Sequence, residues 1–211
     1  APPAPKGGYR GENADALIQL DRLAKKLRAA RFKNGAVKFD REELHFDVDE
    51  NGKPTRCYFK RSKDANKLIE EFMLLANRTV AESVGKVAKG KKPKTLPYRV
   101  HDNPDPTKLE TLREFVVKFG YKMKTDGTKG ALAKSLNTLM SACEGKREQN
   151  LIQTVALRAM MKAKYSIHNI GHFGLAFDYY THFTSPIRRY PDTMVHRLIT
   201  RYQQGGRSAN K

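Results

Sequence analysis

Six stretches of the chain repeat apolar residues every three to four positions, whereas one pair of short runs alternates apolar with polar. The first spacing lays an apolar stripe along a helix and the second along one face of a strand. The pattern therefore predicts an α+β fold, predominantly helical, with several amphipathic helices and a β-hairpin. Leu17, Leu20, Leu23, Ala24 and Leu27 set the first helix from Asp15 to about Phe32, with Lys25, Lys26, Arg28 and Arg31 toward the end where cations suit the helix dipole. Leu44, Phe46 and Val48 then alternate with Glu43, His45 and Asp47, and Asn51-Gly52 supplies a tight turn before a second run from Thr55 to Lys60.

Behind the capping sequence Ser62-Lys63-Asp64, an apolar stripe of Leu68, Ile69, Phe72, Met73, Ala76 and Val80 predicts a second helix, flanked by a polar row of Asn66, Glu70 and Asn77. Such a row is either an ordinary boundary or a place where the helix meets a ligand. Further helices are expected at about 107–119, 130–142 and 147–163. A last one runs from Pro191, with Met194, Val195, Leu198, Ile199 and Tyr202 inward and Gly205-Gly206 ending it. Between them, Lys86 to Arg99 is crowded with cations and broken by Pro93, Pro97 and Gly90, which predicts a solvated loop suited to phosphate. Residues 1–13 read as a linker or truncated edge, 14–203 as one folded body, and 204–211 as a flexible basic tail.

Lys+Arg total 41 against 22 Asp+Glu, a net charge of +19, which points to a polyanionic partner, nucleic acid before a membrane surface. At 39% hydrophobic, the chain has enough apolar material to fold. No run approaches the ~20 apolar residues of a membrane-spanning helix, and the first residues carry no apolar signal core, so an intracellular, cytoplasmic location without membrane contact is expected. Cys57 and Cys143 are too few for a disulfide framework or a Cys-rich zinc site. Neither a triphosphate-cradling loop nor a dinucleotide-binding turn occurs, so no small-molecule cofactor is expected.

The metal motifs are weak. Asp47-x-Asp49-x-Asn51-Gly52 resembles the start of a calcium loop, but Tyr58 stands where a bidentate glutamate belongs and strands flank it, so an acidic hairpin turn is the expectation. His168 and His172 have the spacing of two ligands on one helix face, with His182 distant, yet Gly171 interrupts that helix; structural or RNA-contacting histidines fit better. Asp105, Glu110, Asp126 and Glu148 are scattered singly, so no acidic cluster able to hold paired divalent ions is visible, and no metal ligand is assigned in this chain.

The densest constellation is Thr181-His182-Phe183-Thr184-Ser185-Pro186-Ile187-Arg188-Arg189-Tyr190-Pro191-Asp192. Pro186 and Pro191 each suit a first helical position, which predicts two helix starts within a few residues and a set of unpaired N–H groups beside two arginines. That arrangement receives a phosphate. The same arginines are equally suited to satisfying core carboxylates or carbonyls, and the spacing leaves both readings open.

GHFGLA at 171–176, THFTSPIRRYPD and MVHRLI together resemble the C-terminal half of the catalytic RNB domain of the ribonuclease II and ribonuclease R family. The likeness extends through LDRLAKKLR, GAVKFDREELHFDV, KDANKLIEEFMLLAN and YRVHDNP, over roughly residues 15 to 203, and YRVHDNPDP and HFTSPIRRYPD look like the ribonuclease R versions. The resemblance implies a processive 3′-to-5′ exoribonuclease that hydrolyses single-stranded RNA to nucleoside 5′-monophosphates with Mg²⁺. It implies that Arg188 grips the scissile phosphate as the catalytic arginine, that Phe39 stacks on the terminal bases, and that Glu70 contacts the last nucleotide. His172, His182, Arg189 and Tyr190, in the same motifs, become candidates for lining the RNA channel. It also implies that the metal-binding aspartates lie upstream, in an N-terminal half of the domain that this chain lacks, and that OB-type domains flank the whole. A non-catalytic basic RNA-binding module is the alternative.

Overall fold

The structure, a computed structural model, describes residues 11, 13–38, 43–60 and 62–209. Their elements run α1 (Ala14–Lys33), β1 (Glu43–Val48), β2 (Pro54–Lys60), α2 (Asp64–Gly85), β3 (Tyr98–Val100), α3 (Pro106–Val117), α4 (Lys129–Ala142), α5 (Gln149–Ala159), β4 (Lys164–Ser166), a 3-10 turn at Phe173–Leu175, and α6 (Tyr190–Gln203). This is the mainly helical α+β fold expected. The residues fall into two compact units, Ala1–Ala30 with Glu42–Phe72, and Arg31–Arg41 with Met73–Lys211.

In the first unit β1 and β2 form the antiparallel hairpin, pairing Leu44 with Phe59 and Phe46 with Cys57. Its turn is fixed by Asp49, whose Oδ1 accepts the N–H groups of Asn51 and Lys53 at 2.9 and 2.8 Å, so the acidic residues there serve the turn. Gly52 takes φ 78°, a left-handed conformation that favours glycine. The apolar alternation is not covered: Leu44, Phe46, Val48 and Phe59 are all exposed. Helix α1 forms where expected, but Leu17, Leu20 and Leu23 of its stripe are also exposed and only Ala24 is buried. A two-stranded sheet has too little surface to bury its own apolar face.

Helix α2 departs from its predicted stripe as well. Its buried positions are Glu71, Leu74, Asn77, Ala81 and Gly85, whereas Ile69 is exposed. The buried face is thus rotated toward the polar row, and the three members of that row diverge. Asn66 accepts the Lys63 N–H at the start of the helix, Glu70 is exposed, and Asn77 is buried. Buried Glu71 lies 3.9 Å from Arg28.

The core of the second unit is where α3, α4 and α5 meet, around Leu109, Leu112, Val116, Leu136, Leu139 and Ile152. The Asp105 carboxylate caps α3 by accepting from Thr107 and Lys108, with Pro106 in the first turn; Thr128 caps α4 through the Ala131 N–H. The fifth helix stops at Ala159, short of the expected 163, because Met160 turns extended and leads into β4. β4 pairs with β3, Arg99 opposite Tyr165, so strand pairing overrides the local helical period. A second cluster joins Ala81, Leu96, Tyr98, Val100 and Val195. The end of the basic segment is therefore core: Leu96 is fully buried, while Lys89, Lys91 and Lys92 stay exposed as predicted. Gly85 is required where α2 meets β3, since a Cβ there would lie 2.5 Å from the Tyr98 hydroxyl and 2.7 Å from the Tyr179 ring. At the C-terminal side, the segment read as a flexible tail is tied to Thr95, whose N–H donates to Ser208 Oγ at 2.9 Å and whose hydroxyl donates to the Ala209 carbonyl at 3.0 Å.

Candidate nucleic-acid interface

The arginine-bearing loop departs from the two-helix expectation. Pro186 opens a three-residue turn, and one helix, α6, starts at Tyr190 with Pro191 in its first turn. The reason lies in the side chains that close on the turn. Asp192, fully buried, accepts the Ser185 N–H and the Arg189 guanidinium on the same Oδ1, both at 2.8 Å. Thr193 donates to the Pro186 carbonyl at 3.0 Å, and the Arg188 and Arg189 N–H groups return to the Ser185 carbonyl. Backbone groups that a helix start would leave open are used within the loop.

The two arginines consequently separate. Arg189 takes the structural role, paired with a buried carboxylate. Arg188 is exposed, with a long 3.4 Å contact from its guanidinium to Ser185 Oγ, and its neighbours Ile187 and Tyr190 are exposed too. A guanidinium presented to solvent on a rigid turn, with the donor fork largely unspent, suits a phosphate oxygen pair.

The loop is held from a second side by α2. Asn77 Oδ1 accepts the N–H groups of Phe183 and Thr184 at 2.9 and 3.2 Å, while its Nδ2 donates to the Tyr180 hydroxyl at 3.2 Å. Phe183 stacks on His196 with ring centroids 4.0 Å apart, and His196 Nε2 lies 2.9 Å from the Phe183 carbonyl.

Below the loop runs a ladder of aromatic rings: His101 to His172 at 4.9 Å, His172 to Tyr180 at 5.3 Å, Tyr180 to His182 at 5.7 Å, and His182 to Tyr165 at 5.6 Å. His182 Nδ1 lies 2.7 Å from the Tyr165 hydroxyl. His101 Nδ1 accepts the Gly174 N–H and His172 Nδ1 that of Leu175, so both rings serve as acceptors for the GHFGLA segment. A Cβ on Gly174 would stand 3.0 Å from His101 Nδ1, which explains a glycine there. Burial, with the neighbouring His101 and Arg99, pushes His172 down to about 3; burial and the Arg189 cation push His182 down to about 4; burial also lowers His101. The histidines of the ladder are therefore neutral near pH 7 and add no charge to the interface.

His172, His182 and Arg189 thus come together beneath the loop, and Arg188 and Tyr190 lie on its exposed side. Glu70 belongs to the first unit. Phe39 lies outside the described residues. His168 and His172 share no helix: His168 follows β4, exposed, and its N–H donates to Ser166. Among the described residues no three His, Cys, Asp or Glu side chains form a group able to hold a metal ion, so the residues described do not fit the divalent ion that the resemblance implies. Among those same residues no helix is long and apolar enough to cross a membrane. Sequence reasoning underrated Asn77, which it left as one member of a flanking row, and gave no role to His101, Tyr165 or Tyr180. His101 stands in the quoted YRVHDNP, whereas Tyr165 and Tyr180 lie outside every quoted motif and carried no signal in the sequence.

The sequence pattern of the RNB domain matches residues 3–205, and the chain belongs to that family. Ribonuclease R of Aquifex aeolicus is 41% identical over 194 residues, covering 90% of this chain and 26% of that protein. Among solved structures, Mycoplasma genitalium RNase R in complex with ribose methylated single-stranded RNA superimposes with TM-score 0.77 at 30% identity, over 90% of this chain and 29% of that one. The same protein in complex with double-stranded RNA gives TM-score 0.76 at 30% identity, over 88% and 32%. The chain spans about a quarter of the length of the curated relatives it matches.

Proposed function

We propose that the chain is the RNA-gripping part of a processive 3′-to-5′ exoribonuclease that hydrolyses single-stranded RNA to nucleoside 5′-monophosphates. The observation that carries the reading is the exposed Arg188 on a loop fixed by Asn77 and Asp192, in a chain of net charge +19. In this reading Arg188 binds the scissile phosphate, where its permanent charge offsets charge that builds up in the transition state. Tyr190, exposed beside it, borders the RNA path; His172, His182 and Arg189 act from beneath by holding the loop. Phe39 stacks on the terminal bases by a contact of ~1–3 kcal/mol that tolerates any base, and Glu70 holds the last nucleotide. Lys89, Lys91 and Lys92 add a sequence-independent attraction that weakens with salt. Mycoplasma genitalium RNase R holds single-stranded or double-stranded RNA in two solved complexes, which supports the choice of ligand. The reading also includes Mg²⁺, held by side chains other than those of the described residues, an N-terminal half of the domain and flanking OB-type domains.

The second reading, an RNA-binding module without catalysis, is favoured by the lack of a metal-binding group among the described residues. One experiment separates them. Residues 15–203 replace the matching segment of Aquifex aeolicus ribonuclease R, and 5′-labelled single-stranded RNA is resolved on a sequencing gel with Mg²⁺ or chelator. A Mg²⁺-dependent ladder shortening from the 3′ end, lost with Arg188→Ala, is expected; intact RNA that is nevertheless bound supports the module.

A further inference from the structure

The structure assigns Asn77 as the positioning residue of the arginine loop: its buried carboxamide, bonded to Phe183, Thr184 and Tyr180, sets the direction in which Arg188 meets RNA. The inference rests on the reading of Arg188 as a phosphate contact. Asn77 is 3% exposed in the middle of α2, a helix otherwise buried there through Leu74 and Ala81. An amide in such a place costs free energy unless each polar atom is used, and here each is. Oδ1 bridges two consecutive backbone N–H groups, 2.9 Å from Phe183 and 3.2 Å from Thr184, and Nδ2 donates to the hydroxyl of Tyr180, which is itself buried.

A side chain that receives two successive N–H groups fixes the orientation of the peptide plane between them, not merely a distance. That plane enters the turn four residues before Arg188. Asp192 seizes the very next N–H, that of Ser185, from the opposite helix, α6. Three consecutive N–H groups, 183 to 185, are therefore taken by side chains of two helices far apart in sequence, and the turn beyond has one path. Asn77 touches no part of the exposed arginine, so its influence on RNA passes through the loop backbone. Tyr180 extends the same linkage into the ring ladder, where it stands between His172 and His182. Leucine has nearly the shape of asparagine but none of its polar atoms; aspartate keeps the oxygen that bridges the two N–H groups.

The test measures affinity for a labelled single-stranded RNA at several salt concentrations with this chain and its Asn77→Leu, Asn77→Asp, Arg188→Ala and Asn77→Leu/Arg188→Ala variants. Asn77→Leu is expected to weaken binding about tenfold, Asn77→Asp about twofold or less, and the double variant no more than Arg188→Ala alone. Equal losses for leucine and aspartate, or losses that add in the double variant, overturn the assignment, since either places Asn77 outside the path through Arg188. If Arg188→Ala leaves affinity and salt dependence unchanged, the reading of Arg188 has failed instead. Amide hydrogen exchange at Phe183 and Thr184, measured without RNA, then decides for Asn77: faster exchange at both amides in Asn77→Leu than in the parent chain, with the Val100 amide unchanged, supports the clamp, and unchanged protection overturns it. Should Asn77→Leu not fold, Asn77→Asp carries the binding test: a loss of about twofold or less supports the assignment, and a loss of about tenfold in that variant counts against it.

Discussion

The Arg189 guanidinium donates to Asp192 Oδ1 at 2.8 Å, on an oxygen that also accepts the Ser185 N–H, while the adjacent Arg188 remains in solvent. One carboxylate thus divides two neighbouring arginines between scaffold and ligand. Removing it leaves a mostly buried cation and a backbone N–H without their acceptor, a loss of ~3–5 kcal/mol for a buried pair broken on one side. Asp192→Ala is expected to lower the urea midpoint accordingly, and Asp192→Asn, which keeps an oxygen in place, to lower it less.

Arg188→Ala should behave in the opposite way. The side chain is exposed, so stability stays within ~0.5 kcal/mol by urea denaturation. RNA binding weakens at every sequence tested, and the slope of log affinity against log salt falls by about one phosphate contact. A variant that loses stability but keeps its salt slope would contradict the division of roles.

Acid should destabilise the fold before it protonates any ordinary carboxylate. His172 is pushed down to about 3 and His182 to about 4, below the ~6.5 of an unfolded histidine. Between these values the unfolded chain binds protons that the folded chain refuses, so stability falls as pH drops from about 6.5 toward 4 and is level above 7. Thermal midpoints measured from pH 4.5 to 8 should show that slope, at ~2–4 °C for each kcal/mol, and His172→Gln should flatten it.

Apolar residues of equal hydrophobicity should differ sharply in weight. Leu136, fully buried among α3, α4 and α5, should cost ~2–5 kcal/mol on truncation to alanine. Leu17 in α1 is 57% exposed, and Leu17→Ala should change stability by no more than ~0.5 kcal/mol. The two variants in parallel denaturation curves check whether the α1 stripe is core to this chain.

The local code of the chain is legible because it is local. Helical spacing marks every long helix and Asn51-Gly52 marks the hairpin turn, while the caps at Asp105 and Thr128 close within a few residues and became visible only in the structure. The ordered motifs also carry the likeness to the RNB family, since several of them in one order are not met by chance. What periodicity does not contain is the far partner. It put Leu17 on an apolar stripe and Leu44 and Phe46 on one strand face, although only neighbouring elements decide whether such a face is covered, and these three are exposed. It ran α5 to 163, although pairing of β4 with β3 ends the helix at Ala159.

The site divides along the same line. Sequence determined that two arginines follow Ser185-Pro186, and it left open which of them serves a ligand. The tertiary structure decided that, by bringing Asp192 back one helical turn onto Arg189 and Asn77 across more than a hundred residues onto Phe183. A buried carboxylate must take the cation nearest its oxygen, and a buried amide must take the N–H groups that reach it, so packing rather than residue type leaves Arg188 outside.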